Sequence, residues 1–191
     1  MQEMLKQLEE YGKYVEITGF RNIKITCAKD FAHSLASNMA EGIAVQLFEA
    51  DLIAGWQHLY FAVLNALLAF KTNRNLSRSL PVETALYASA QRQIRRAIDK
   101  IGLKPLSKNA AVILIGENPD SLKISLAIIS KKLDRNPDET VLKLSKPKIQ
   151  NIKREFEISK SELQFSTLAG DREQALTDLI IERVALLSTR L

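Results

Sequence analysis

The chain has 191 residues, 46% of them hydrophobic and 26% charged, with a net charge of +5. That length and balance exclude a disordered or fibrous chain and suit one globular domain that buries roughly 70% of its unfolded surface. The positive charge tilts the surface towards polyanions, and a single cysteine, Cys27, excludes an internal disulfide and fits a reducing compartment.

Residues 1–11 are polar and of mixed charge, without the apolar run of a signal peptide, and read as an N-terminal extension to one domain over 12–191. Lys13 to Phe20 reads as a strand between two glycines. Ile23 to Ala28 alternates and predicts a second strand paired to the first, with Cys27 as a small core residue. Asp30 is expected to cap a helix through about Ala40, and Ala44 to Phe48 reads as a third strand. Gly55 opens an apolar helix to about Thr72. Its run from Leu59 to Phe70 is shorter than the about 20 residues that span a bilayer, so the helix is expected to be buried in a soluble, cytoplasmic protein. His58 on it is expected to be a satisfied, half-buried histidine.

The polar loop from Lys71 to Arg78 leads into the segment that carries most information. Pro81 near the first turn and Gly102 beyond the last bound one helix over about 82–101. At about 100° per residue, Leu86, Ala90, Ile94, Ala97, Ile98 and Ile101 fall on one arc, with Tyr87 beside them, and Arg92, Arg95, Arg96 and Lys100 fall opposite. Asp99 is the only acid among the four cations. That face is either a merely basic surface or, with Lys71, Arg74 and Arg78 before it, a site for phosphates, which arginine recognises with a planar fork. Arg92 has a structural alternative as a partner of Glu83 or Asp99.

Ala110 to Ile115 is a continuous apolar run, the mark of a central strand. A helix is expected from Pro119 to about Leu133, an edge strand over Thr140 to Leu144 and a short basic helix over Lys148 to Phe156. Ser161 marks a turn, and a final helix runs from Asp171 to Leu191. Apolar residues cover nearly the whole circumference of that last helix, so its second side packs on more core or on a partner protein. Ile180, Val184 and Leu187 are taken as the partner stripe and Leu179 and Leu186 as core. Arg183 is placed at the border with the partner, bonding an acid from either side, or in an internal ion pair with an acid such as Glu83. The whole is an α/β or α+β pattern, one mixed β-sheet flanked by helices.

No chemistry-bearing motif appears. The seven glycines are scattered, which excludes a P-loop or a dinucleotide fingerprint, and His33 and His58 have no metal-ligand spacing. No catalytic residue, cofactor or metal is expected.

The pattern His58-x-x-x-Ala62, Ala66, Glu83, Leu86-Tyr87-x-Ser89-x-x-Arg92-Gln93-Ile94, Ala97-Ile98 and Gly102 precedes the Val112 to Ile115 strand and the closing Glu182-Arg183-Val184-Ala185-Leu186-Leu187. In that order, from about Ile17 to the C-terminus, the chain resembles the small kinase-binding subunits of the KEOPS complex, the family of PRPK-binding proteins. The basic segment from Ser145 to Ile158 has no clear counterpart there. The resemblance implies a small α/β fold and a non-catalytic subunit that binds the amino lobe of a small atypical kinase-ATPase and holds the single-stranded 3′ CCA end of tRNA. Other KEOPS subunits would be indirect partners. The complex places a threonylcarbamoyl group on the adenosine beside the anticodon, with the chemistry in a different subunit. The alternatives are a small enzyme with an unrecognised ligand, or a structural adaptor with an incidental basic face.

Overall fold

The computed structural model describes residues 5–167 and 171–189. The chain divides into two compact units, Met1–Ala50 with Gly102–Val141, and Asp51–Ile101 with Leu142–Leu191. The class is α+β.

The first unit is built on a four-stranded sheet in the order β1-β2-β4-β3, from Leu5–Leu8, Lys13–Arg21, Asn109–Gly116 and Ala44–Glu49 respectively. Every pairing is antiparallel, with Val15 opposite Ile115 and Leu47 opposite Val112. The sheet is therefore not mixed: β2 and β3 both run antiparallel to β4, and β1 antiparallel to β2. The segment read as an N-terminal extension supplies β1, which turns into β2 through Gly12 at φ 59°. Helices α1 (Ala28–Ala36) and α5 (Pro119–Leu133) bury Leu35, Leu122, Ile129 and Leu133 with Phe20, Val112 and Leu114. The Asn118 side chain caps α5, accepting from the Asp120 amide at 2.8 Å.

Four expectations here need correction. Ile23 to Ala28 is not a strand. Asn22 leaves β2 in the left-handed region at φ 54°, and Ile23 donates its amide to the Lys108 carbonyl while its side chain and that of Ile25 fill the core. Cys27 is accordingly exposed, at the N-cap position of α1, and Asp30 lies inside the first turn instead of capping it. Thr140 to Leu144 is not an edge strand. Glu139–Leu142 forms a 3-10 turn that lies against β2. The Asp138 amide donates to the Gly19 carbonyl at 2.8 Å, and Arg21 bonds both the Asp138 carboxylate and the Thr140 hydroxyl. A Cβ on Gly19 would come within 2.8 Å of Val141 Cβ and 2.9 Å of the Asp138 carbonyl, so glycine permits the approach.

The second unit is helical. It holds α2 (Trp56–Lys71), α3 (Leu80–Ser89), α4 (Ile94–Ile101), α6 (Lys146–Glu155), α7 (Lys160–Thr167) and α8 (Arg172–Leu186). Helix α2 packs on α3 and on α8, and α7 on α8. Helix α7 occupies the stretch read as a turn around Ser161. Asp171 caps α8 through the Glu173 amide at 3.0 Å, and α8 stops at Leu186 before a 3-10 turn, Leu187–Thr189. No helix among the described residues is long and apolar enough to cross a membrane.

The expected single helix over 82–101 is two helices. Ala90 sits in the left-handed region at φ 53°. Its amide bonds the Tyr87 carbonyl and the next amide, on Gln91, bonds the Leu86 carbonyl, which closes α3 in a Schellman cap. Asn73, Asp134 and Glu157 close α2, α5 and α6 in the same way, at φ between 51° and 55°.

Candidate nucleic-acid and partner interface

The break at Ala90 redistributes the cations that one helix would have aligned. Lys71 ends α2, Arg74 and Arg78 stand in the loop that follows, Arg92 lies in the α3–α4 turn, and Arg95, Arg96 and Lys100 are on α4. All are exposed except Lys100, which is half-buried. The arc expected to be core divides too. Leu86, Ala97 and Ile101 are buried, whereas Ile94 and Ile98 are 47% and 39% exposed. The short α4 buries only one flank, because the chain direction has changed at Ala90.

Arg74 and Arg92 meet at one cleft of about 630 Å³, with Leu68, Leu76, Tyr87 and Leu187 among its walls. The loop carrying Arg74 is fixed from inside. The Glu83 side chain, fully buried at the start of α3, accepts the amides of Leu76 at 3.1 Å and Ser77 at 2.6 Å. Glu83 thus serves the loop and is partner to neither Arg92 nor Arg183. Burial first, and the Glu83 charge second, push the Tyr87 phenol above its ordinary pKa. The cleft joins two guanidinium groups to apolar walls with one aromatic ring. Such a site can take a phosphate beside a base or another flat apolar group.

A second cleft, of about 420 Å³, is walled by Arg96, Asp99, Lys100, Glu155, Phe156 and Arg183 among others. The Lys100 ammonium lies 4.0 Å from the centroid of the Phe156 ring. Burial holds its pKa below the ordinary value; Glu155 and Glu157 oppose that shift and Arg183 adds to it. Cations and acids alternate around this cleft, so it lacks the single sign of a phosphate site. Arg95 pairs with Asp99 at 3.7 Å in full exposure, a weak contact. Lys71 and Arg78 line neither cleft.

The terminal helix is turned the other way from the sequence reading. Ile180 and Val184 are 0% exposed and Leu187 3%, while Leu186 is 39% exposed and Leu179 half-buried. The stripe expected to face a partner is therefore core, on a helix packed by α2, α3 and α7. Arg183 is half-buried and bonds an acid, but the acid is Glu162 on α7 at 3.0 Å. Its other nitrogen donates to the Phe156 carbonyl. Sequence reasoning missed α7 and so missed that partner.

His58 is a satisfied core histidine. Nδ1 accepts the Ala54 amide at 3.1 Å and Nε2–H donates to the Ala88 carbonyl at 2.7 Å, while burial lowers its pKa to about 4. Among the described residues no group of three His, Cys, Asp or Glu side chains could hold a metal ion.

Residues 20–188 match the model of a family described as kinase binding protein CGI-121. The chain is also similar to the regulatory protein Cgi121 of Methanocaldococcus jannaschii, at 31% identity over 117 residues, 61% of this chain and 72% of that protein.

Proposed function

This chain belongs to the CGI-121 family of kinase-binding proteins, and on that premise we propose that it is a non-catalytic regulatory subunit of KEOPS. It binds the small atypical kinase-ATPase of the complex and the 3′ CCA end of tRNA, and so supports threonylcarbamoyl modification of the adenosine beside the anticodon. Its place is the cytoplasm, and the nucleus also if the source is eukaryotic.

The observation that carries the RNA reading is the cleft in which Arg74 and Arg92 face Tyr87, Leu68 and Leu76. A single-stranded end offers phosphates for the guanidinium groups and unstacked bases for the apolar walls. The charge distribution agrees. The second unit carries 16 of the 27 lysines and arginines against 10 of the 22 acids, so it holds all of the net positive charge.

The test compares retention of tRNA with and without its CCA end. The wild-type chain should prefer the intact end, and Arg74→Glu with Arg92→Glu should abolish that preference in a folded protein. An unchanged preference in the double variant refutes the cleft. Arg95, Arg96 and Lys100 contribute long-range attraction only, because they stand outside the cleft.

For the kinase, the contact uses two of the exposed apolar side chains of the helical unit, Leu186 on α8 and Phe61 on α2, at 39% exposure each. The buried Ile180, Val184 and Leu187 act behind them by holding α8 against α2.

A further inference from the structure

From Thr140 to Arg154 the chain contains no acid and five cations, Lys143, Lys146, Lys148, Lys153 and Arg154. Lys148 is buried and donates to the Leu142 carbonyl at 3.1 Å, so it belongs to the packing. Lys143, Lys146 and Arg154 are exposed and Lys153 is half-buried. At about 100° per residue, Lys146, Gln150 and Lys153 share one stripe of α6, with Arg154 beside it. At about 1.5 Å per residue that stripe is about 10 Å long. The Arg154 guanidinium is steadied by Asn151 Oδ1 at 3.2 Å.

The same residues work against the helix that carries them. Lys146 is the first residue of α6, the first turn has no acid, and the preceding Ser145 makes no side-chain cap bond. Acids stabilise that end of a helix and cations destabilise it. Helices α5 and α8 start the favourable way, with a capping Asn118 or Asp171 and an acid in the first turn. Local departures of this kind are expected at functional or strained sites. No large apolar side chain is exposed between Lys143 and Ile158, which argues against an inserted membrane face or an apolar partner helix. The outer stripe also has no aromatic ring on which a single strand would stack.

We infer that the outer face of α6, formed by Lys146, Gln150, Lys153 and Arg154 with Lys143 ahead of it, binds the sugar–phosphate backbone of double-stranded RNA. It is a second RNA surface beside the Arg74–Arg92 cleft, and it rests on the RNA-binding reading above. Contacts of this type are blind to base sequence and follow the phosphates of the duplex.

The experiment measures binding of the full chain to a blunt RNA duplex of about 16 base pairs, which has no single-stranded end, across a salt series. Lys146→Gln, Lys153→Gln and Arg154→Gln together should weaken duplex binding about tenfold at low salt and lower the log–log salt slope by about 0.7–0.9 for each phosphate no longer neutralised. Arg74→Glu with Arg92→Glu should leave duplex binding in place, so failure of the cleft and failure of the α6 face are read separately. Wild-type chain that ignores the duplex at about 50 mM salt overturns the inference, as does a triple variant that binds like wild type. Binding to phosphatidylserine vesicles without binding to the duplex overturns it as well. Lys146→Glu adds a test that a purely structural role fails: duplex affinity should fall while the melting temperature rises. A lower melting temperature with unchanged affinity refutes the assignment.

Discussion

Glu83 shows how one side chain can set a whole loop. Its carboxylate is buried and accepts the Leu76 and Ser77 amides of the loop before α3. Glu83→Ala should therefore cost roughly 2 kcal/mol in urea unfolding and speed hydrogen exchange at the Ser77 amide, because it removes the acceptor of two sheltered donors. The sequence offered Glu83 as an ion-pair partner of Arg92 or Arg183, but its true target was not visible, since the target is backbone. His58 gives a pH signature. Its folded pKa of about 4 lies below the unfolded value near 6.5, so the unfolded chain takes the proton first as pH falls. The stability that His58 contributes is complete above about pH 6.5 and is lost progressively towards pH 4. Unfolding free energy at pH 5 should be roughly 2 kcal/mol below that at pH 7.5, and His58→Gln should flatten this slope.

At the level of elements, the readable parts were those decided by local pattern. The apolar runs of β2, β3, β4 and α2, and the Asn118-Pro119 start of α5, each announce themselves within a few residues. What escaped was decided elsewhere in the chain. The 3-10 turn at Glu139–Leu142 depends on Gly19 and Arg21, and β1 depends on its register with β2. The break at Ala90 escaped for another reason. Glycine is the usual mark of a left-handed helix end, and this chain uses Asn73, Ala90, Asp134 and Glu157 instead. Alanine gains nothing locally from that conformation, so Ala90→Gly should raise unfolding stability by roughly 0.5–1 kcal/mol without altering α4. The cations of the candidate site were legible as residue types, but their grouping into two clefts was not, because it follows from this break. For α8, apolar residues around most of the circumference left the inward stripe undetermined. Val184→Asp should unfold the protein in a thermal melt. Leu186→Asp should melt normally and lose binding to the kinase partner in a pull-down.

For the molecule as a whole, the reading is of a subunit that acts through others. Purified alone, it should neither hydrolyse ATP nor modify tRNA, and any stimulation of ATP hydrolysis should appear only with the kinase present. ATPase activity that follows this chain through a point variant would reverse that view. The order of the sheet has a consequence for how the chain is made. Among the described residues, β4 is the only partner of β3 and one of the two partners of β2, yet it is the last of the four strands in the sequence. On the ribosome, β3 must wait for residues 109–116, some sixty residues later, with its backbone edge unpaired. The nascent chain is therefore most exposed to wrong pairing between the synthesis of Glu49 and that of Gly116.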